Sequence, residues 1–206
     1  MSDKVSGALG YYIIIIAEQF YLREDSIMKN TNVTLVPLES DDREQFILEN
    51  QWAFKYGALE EFGKRDDHLD SDGEIISRRT IEKSIDAPGN EAYRIMLDGK
   101  KVGGVVLSID NKTHHNSLDL IFVSPDAHGK GIGYGAWKAV EALHPETEVW
   151  ETCTPYFEMR NIHFYINKCG FHAVEFFCES HMDPNDPEGI NGESGSEMFR
   201  FVKVMK

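Results

Sequence analysis

The chain has 206 residues, and its 35 acidic side chains against 21 Lys and Arg leave a formal net charge of −14 at pH 7. That balance excludes a nucleic-acid binder held by phosphate contacts, which needs a basic footprint, and argues against an anionic membrane surface as partner. A 41% hydrophobic composition is ordinary for one sizeable core, and three cysteines without CxxC spacing speak against a disulfide scaffold or a metal site and for a reducing, cytoplasmic compartment.

Residues 1–27 stand apart. Ala8 to Ala17 is the only long apolar run, about half of the ~20 residues that a bilayer span needs, and no small-x-small cleavage pattern follows it. Met28 then opens a stretch that reads like the start of a domain, so residues 1–27 are taken as an extension outside the core and 28–206 as one domain. Asn32 to Pro37 alternates with β-branched residues and predicts a strand. Asp41 and Glu44 form a capping-box pair ahead of a helical stripe of Phe46, Ile47, Trp52, Phe54 and Leu59, which breaks near Tyr56-Gly57. The charged stretch Gly63 to Gly73 is followed by a helix from Glu74 to Ile85. A meander comes next, with strands at Ala92 to Leu97, Lys101 to Asp110 and Leu118 to Val123. Asp98-Gly99 joins the first two as a hairpin turn. The loop Asn111 to Asn116, including His114-His115, is a solvated turn.

From Val123 the pattern changes to strand, loop and helix, the helix running from Gly131 to about His144. A strand at Glu148 to Cys153, a helix over Arg160 to Lys168 and a strand at Phe171 to Phe177 follow. The polar segment His181 to Glu197 precedes the last strand, Met198 to Val204. No repeat or second core is evident, and the whole reads as an α+β domain on a mixed sheet.

The informative loop lies in residues 121–136, IFVSPDAHGKGIGYGA. Gly129, Gly131 and Gly133 alternate where a strand exit becomes a helix. Glycines there let backbone N–H groups crowd an anion, and the helix N-terminus adds unsatisfied donors. Lys130 adds a point charge. Gly131 to Ala136 formally fits the GxGxxA dinucleotide fingerprint, with Glu151 twenty residues beyond Gly131, but a Rossmann loop should follow its strand at once. Here Ser124 to Lys130 intervene and an antiparallel meander precedes. No GKS or GKT supports a Walker A loop.

VSPDAHGKGIG resembles the acetyl-CoA loop of the GNAT superfamily N-acetyltransferases. That family shows Gln/Arg-x-x-Gly-x-Gly/Ala after a strand ending in Val-x-Pro. His128 stands in the Gln/Arg place, Gly131 and Gly133 match the glycines, and Val123-Ser124-Pro125 matches the strand exit. Downstream, Asn161, Phe164-Tyr165 and Gly170-Phe171 resemble the family's Asn…Phe-Tyr-x-x-x-Gly-Phe segment. Four residues, Ile166 to Cys169, separate the tyrosine from Gly-Phe instead of three. Either the helix end absorbs one residue and Tyr165 keeps its place, which is preferred, or Ile166 takes the tyrosine position.

The resemblance implies a GNAT-like, mostly antiparallel mixed sheet flanked by helices and splayed between strands 4 and 5. It implies acetyl-CoA as co-substrate, no metal, and direct transfer of the acetyl group to a primary amine of a small molecule or peptide. The implied cofactor-binding set is the backbone at Ile121 and Val123, the loop His128, Gly129, Lys130, Gly131, Ile132 and Gly133, and Asn161. Arg160 beside it is placed near phosphate or pantetheine. Asp119, assigned the side-chain parity of Ile121, is the first candidate to take the amine's proton and Glu151 the second. Tyr165 is the candidate proton donor to the departing thiol. Trp137 and Cys169 are read as core and His163 as a helix-surface residue. Acceptor contacts are expected from Trp52–Gly73, Asn111–Asn116 and His181–Glu197. The acidic charge favours a cationic acceptor, and a homodimer stays open. A non-catalytic acyl-CoA-binding sensor or assembly module is the alternative.

Overall fold

The structure is a computed structural model, and it describes residues 32–57, 73–184 and 197–206. The extension 1–27, most of Gly63 to Gly73 and much of His181 to Glu197 lie outside these residues. The elements are β1 (Val33–Pro37), α1 (Arg43–Lys55), α2 (Arg78–Asp86), β2 (Asn90–Leu97), β3 (Lys100–Ser108), β4 (His115–Val123), α3 (Ile132–Leu143) and β5 (Val149–Pro155). Then come α4 (Met159–His163), which continues as a π-helical turn over Phe164–Cys169, β6 (His172–Phe177) and β7 (Met198–Val204). The strands form one sheet in the order β1-β2-β3-β4-β5-β7-β6. Neighbours are antiparallel except β4 and β5, which run parallel.

Local chemistry explains most of the boundaries. Asp98 and Gly99 both take positive φ (49° and 77°), the requirement of the tight turn that matches strand twist. α2 starts later than Glu74, because the Ser77 hydroxyl oxygen accepts the Thr80 N–H at 3.0 Å and caps the helix there. β4 begins three residues before the expected Leu118. Its Asn116 is buried with both side-chain polar atoms bonded, Nδ2 donating to Thr147 Oγ1 at 2.7 Å and Oδ1 accepting from the Asp110 N–H at 2.8 Å. A strand start written in polar residues therefore still lies in the core, and only His114 and its predecessors form the turn.

The core has two layers. On one face of the sheet Trp137 of α3 packs with Trp150, Phe171, Tyr165 and Phe201. On the other, Phe46 and Ile47 of α1 and Ile81 of α2 cover Val106, Leu120 and Phe122. Gly104 makes room for this second layer, since a Cβ there would sit 2.2 Å from the Phe46 ring. The α1 stripe differs from expectation at Trp52, which is 43% exposed, while Asn50 and Ala53 turn inward. Arg94 on β2 is fully buried beneath α1, with Nε 2.7 Å from Asp42 Oδ2 and Nη1 2.6 Å from Glu49 Oε2. Buried charge is tolerable only when paired in this way.

Two irregularities shape the site. The β3–β4 register slips between Val106/Leu107, which face Leu120 and Leu118, so Asp119 is the extra residue of a bulge in β4. Leu118 accordingly packs on the Trp137 side and Leu120 on the Phe46 side. Second, β4 and β5 pair only from His115↔Val149 to Ser117↔Glu151. The Thr152 hydroxyl donates to the Leu118 carbonyl at 2.9 Å, and the remainder of β4 then parts from β5.

Candidate active site

Where the sheet opens, the edge of β4 has no partner strand. Ser124 N–H donates to the Val102 carbonyl at 2.8 Å, so that residue faces β3. Main-chain groups alternate between the edges of a strand, so Ile121 and Val123 face the opening. The chain then passes through a 3₁₀ turn (Pro125–Ala127) to the glycine loop. Gly129 and Gly131 have φ of 78° and 70°, a left-handed conformation that costs other residues about 1–2 kcal/mol. Gly131 is the N-cap of α3 and no side chain caps that helix end. Its first N–H groups are therefore turned outward beside the opening. Ile132 buries its side chain in the core, so only its main chain is available to the loop.

Two adjoining hollows occupy the opening. The smaller, about 140 Å³, is bounded by Ile121, Val123, His128, Gly133, Arg160 and Phe164. The larger, about 550 Å³, extends over the α2 side of β4, β5 and β7. Ile121 and Asn161 border both, and the Asn161 amide is steadied by a 3.3 Å bond to Thr154 Oγ1. The His128 ring enters the smaller hollow, with Nε2 3.0 Å from the Val123 carbonyl oxygen and Nδ1 3.3 Å from Arg160 Nη1. Lys130 is exposed on the loop.

Asp119, Glu151 and Tyr165 all border the larger hollow. The expectation that Asp119 shares a face with Ile121 fails, because the bulge inserts a residue and resets the alternation. Asp119 instead points toward α2 and β2, where Oδ2 accepts from Asn90 Nδ2 at 2.8 Å and from the Ser84 hydroxyl at 3.3 Å. Its carboxylate is reached by solvent through the hollow. The surrounding protein nevertheless raises its pKa by desolvation, against the lowering effect of the two hydrogen bonds. Glu151 is gripped by Arg200, with Nη2 2.6 Å from Oε1 and Nε 3.1 Å from Oε2, and Arg200 also bonds Glu175 at 3.0 Å.

The Tyr165 question resolves in the helix. Gly170 N–H bonds back to the Tyr165 carbonyl, five residues earlier, and the π turn absorbs the additional residue. Tyr165 is consequently 6% exposed and packed in tilted and edge-on contacts among Phe164, Phe171 and Phe201, whereas Ile166 is 40% exposed. Burial pushes the Tyr165 hydroxyl pKa upward, opposed by a hydrogen bond with Thr152.

A family model for the acetyltransferase (GNAT) family matches residues 46–171. The chain belongs to the GNAT acetyltransferases. A relative in Bacillus subtilis (strain 168), the uncharacterized protein YrkN, is 46% identical over 190 residues, covering 87% of this chain and 98% of that protein. The fold resembles the spermidine N-acetyltransferase of Vibrio cholerae, solved with CoA and spermine, with a TM-score of 0.57 at 16% identity over 84% of this chain and 95% of that one. It also resembles the ribosomal-protein-S18-alanine N-acetyltransferase of Escherichia coli, with a TM-score of 0.55 at 11% identity over 84% of this chain and 94% of that one.

Within this GNAT domain several residues have plain structural roles. Trp137 is fully buried and Cys169 nearly so, and burial raises the Cys169 thiol pKa. Cys153 is exposed on the wall of the larger hollow, where desolvation by the surrounding protein pushes its thiol up to about 12, so it stays a thiol at neutral pH. His163 lies exposed on α4, bonded to Asn167 at 2.9 Å. The acceptor segments are only partly as expected. Phe54, Met182, Asp183 and Glu197 border the larger hollow, but the loop Asn111–Asn116 does not. Ile75 and Ile76, just before α2, and Lys83 within it take that wall. Arg200 was legible only as a position within the last strand, and nothing marked it as the partner of Glu151.

Proposed function

We propose that this chain transfers the acetyl group of acetyl-CoA directly to a primary amine of a small molecule or peptide. The observation that carries the reading is the continuity of the site. An unpaired strand edge leads from an uncapped helix N-terminus into a hollow bordered by a carboxylate and a buried tyrosine. These residues fit the coenzyme: loop amides at 129–133 with Lys130 suit its diphosphate, and the main chain at Ile121 and Val123 suits the amides of its arm. Bound acetyl-CoA supplies an activated acetyl group, so this chain needs only to align, polarise and manage protons.

Ile121 and Val123 offer fixed main-chain groups on the open edge, and a preorganised N–H beside a thioester oxygen stabilises charge as it develops. Asp119 takes the amine's proton. Its raised pKa makes it a stronger base than an ordinary aspartate, and Asn90 and Ser84 hold it in place. Glu151 has both oxygens engaged by Arg200, so it orients the wall and the acceptor better than it accepts protons. The Tyr165 hydroxyl keeps its proton at neutral pH, and by turning it from Thr152 toward the departing sulfur it steadies the thiolate with a hydrogen bond. The hollow's border holds Asp119, Glu151, Asp183 and Glu197 against Lys83 and Arg200, which favours a cationic acceptor with an apolar body.

The test is CoA thiol release from acetyl-CoA against a panel of polyamines, aralkylamines, amino acids and peptides with free N-termini. Release accelerated by at least one amine is expected. Bound CoA with no amine raising release above hydrolysis would instead indicate the sensor or assembly module.

A further inference from the structure

The geometry points to His128 as a positioning residue that carries Arg160 across the sheet opening to the diphosphate end of the coenzyme site. The inference rests on the coenzyme A reading above. A carbonyl oxygen can only accept, so the 3.0 Å contact to Val123 requires the hydrogen on Nε2. A guanidinium can only donate, so the 3.3 Å contact from Arg160 Nη1 requires the lone pair on Nδ1. The two partners together fix the ring's hydrogen on Nε2 and its lone pair on Nδ1. The Tyr56 ring at the end of α1 stands edge-on to the imidazole with centroids 5.9 Å apart and limits its rotation.

The clasp joins two parts that the fold leaves separate. His128 follows β4 and immediately precedes Gly129, whereas Arg160 belongs to α4, beyond β5. Both border the smaller hollow, where Glu158 is the carboxylate on the same wall as Arg160. A chain of net charge −14 repels a polyanionic coenzyme at long range, and the loop itself holds one cation, Lys130. Drawing a second cation to the loop offsets that repulsion where the phosphates lie, and a guanidinium fork suits phosphate oxygens. The residue that replaces the Gln/Arg of the family pattern thus supplies its positive charge indirectly, through a neighbour on another element.

The experiment is calorimetric titration of CoA into wild type, His128→Ala, His128→Gln, Arg160→Gln and the His128→Ala/Arg160→Gln double variant, with 15N spectra of the wild-type imidazole. Expected are an Nε2–H tautomer and a CoA Kd about tenfold weaker in His128→Ala, the change that ~1.4 kcal/mol produces. His128→Gln, whose amide can donate to Val123 and accept from Arg160, restores most of the affinity. The double variant is no weaker than Arg160→Gln alone. Additive losses in the double variant, unchanged affinity in His128→Ala, or an Nδ1–H tautomer would each overturn the inference. A wild type that binds no CoA overturns the functional reading itself, so the two failures are distinguishable.

Discussion

Asp119→Asn isolates the proton-accepting role, because the substitution preserves shape. The oxygen that receives Asn90 at 2.8 Å and Ser84 at 3.3 Å is retained as the amide oxygen, and the new NH₂ faces the hollow. Stability should therefore be equal or slightly higher at pH 7. The carboxylate's pKa is raised in the fold by desolvation, so its charged form is the disfavoured one and stability falls as pH rises through that value. Turnover should respond in the opposite sense. Loss of a positioned base lowers the rate by roughly 10²–10⁴, about 3–5 kcal/mol of barrier. In wild type the rate climbs as pH passes the raised Asp119 pKa, above the ordinary aspartate value of about 3.9, and the variant lacks that limb. The assay is thiol release with the best amine of the panel across a pH series, alongside urea unfolding at pH 7. A variant within threefold of wild type, with the same acid limb, would remove Asp119 from the mechanism.

Other substitutions probe separate parts of the account. Tyr165→Phe keeps the aromatic packing and removes only the hydroxyl. Turnover should drop at least about tenfold, less than the ~10²–10⁴ of full proton transfer, while calorimetry shows CoA affinity unchanged. Asp42→Asn breaks one arm of the buried Arg94 cluster, whose side chains are 12% and 2% exposed. It should cost toward the lower end of roughly 3–5 kcal/mol in urea unfolding at pH 7, since Glu49 remains. Arg94 hydrogen bonding lowers the Asp42 pKa, so this contribution is present above the ordinary aspartate pKa. The difference from wild type should fade as pH falls through the lowered value. Gly104→Ala would place its Cβ 2.2 Å from the Phe46 ring and 2.6 Å from that of Phe122. An overpacking loss of about 1–3 kcal/mol in thermal or urea unfolding is expected.

Periodicity and turn chemistry made most of the sheet legible. Asp98-Gly99 announced its hairpin, and alternation in Met198 to Val204 marked β7 to the residue. The additional residue between Tyr165 and Gly170 was visible as a spacing difference, and a π turn is its physical resolution. What escaped were features that depend on a partner strand or a distant side chain. A period-2 reading cannot register a bulge, because the slip at Asp119 exists only relative to Val106 and Leu107. Arg94 falls within the expected strand Ala92 to Leu97, but its burial depends on Asp42 and Glu49, which lie far away in sequence. His128 reads as a simple substitution in a phosphate loop, since its bond to Arg160 spans a gap that no local pattern encodes. The parting of β4 from β5 followed from the family resemblance, not from the local residue pattern.

The most direct test of the whole account is a crystal structure grown with acetyl-CoA. It should show the diphosphate against the amides of residues 129–133 and the pantetheine arm along Ile121 and Val123, with the acetyl carbon turned toward Asp119 and Tyr165. Coenzyme bound elsewhere on the chain, or an arm that avoids the β4 edge, would contradict it.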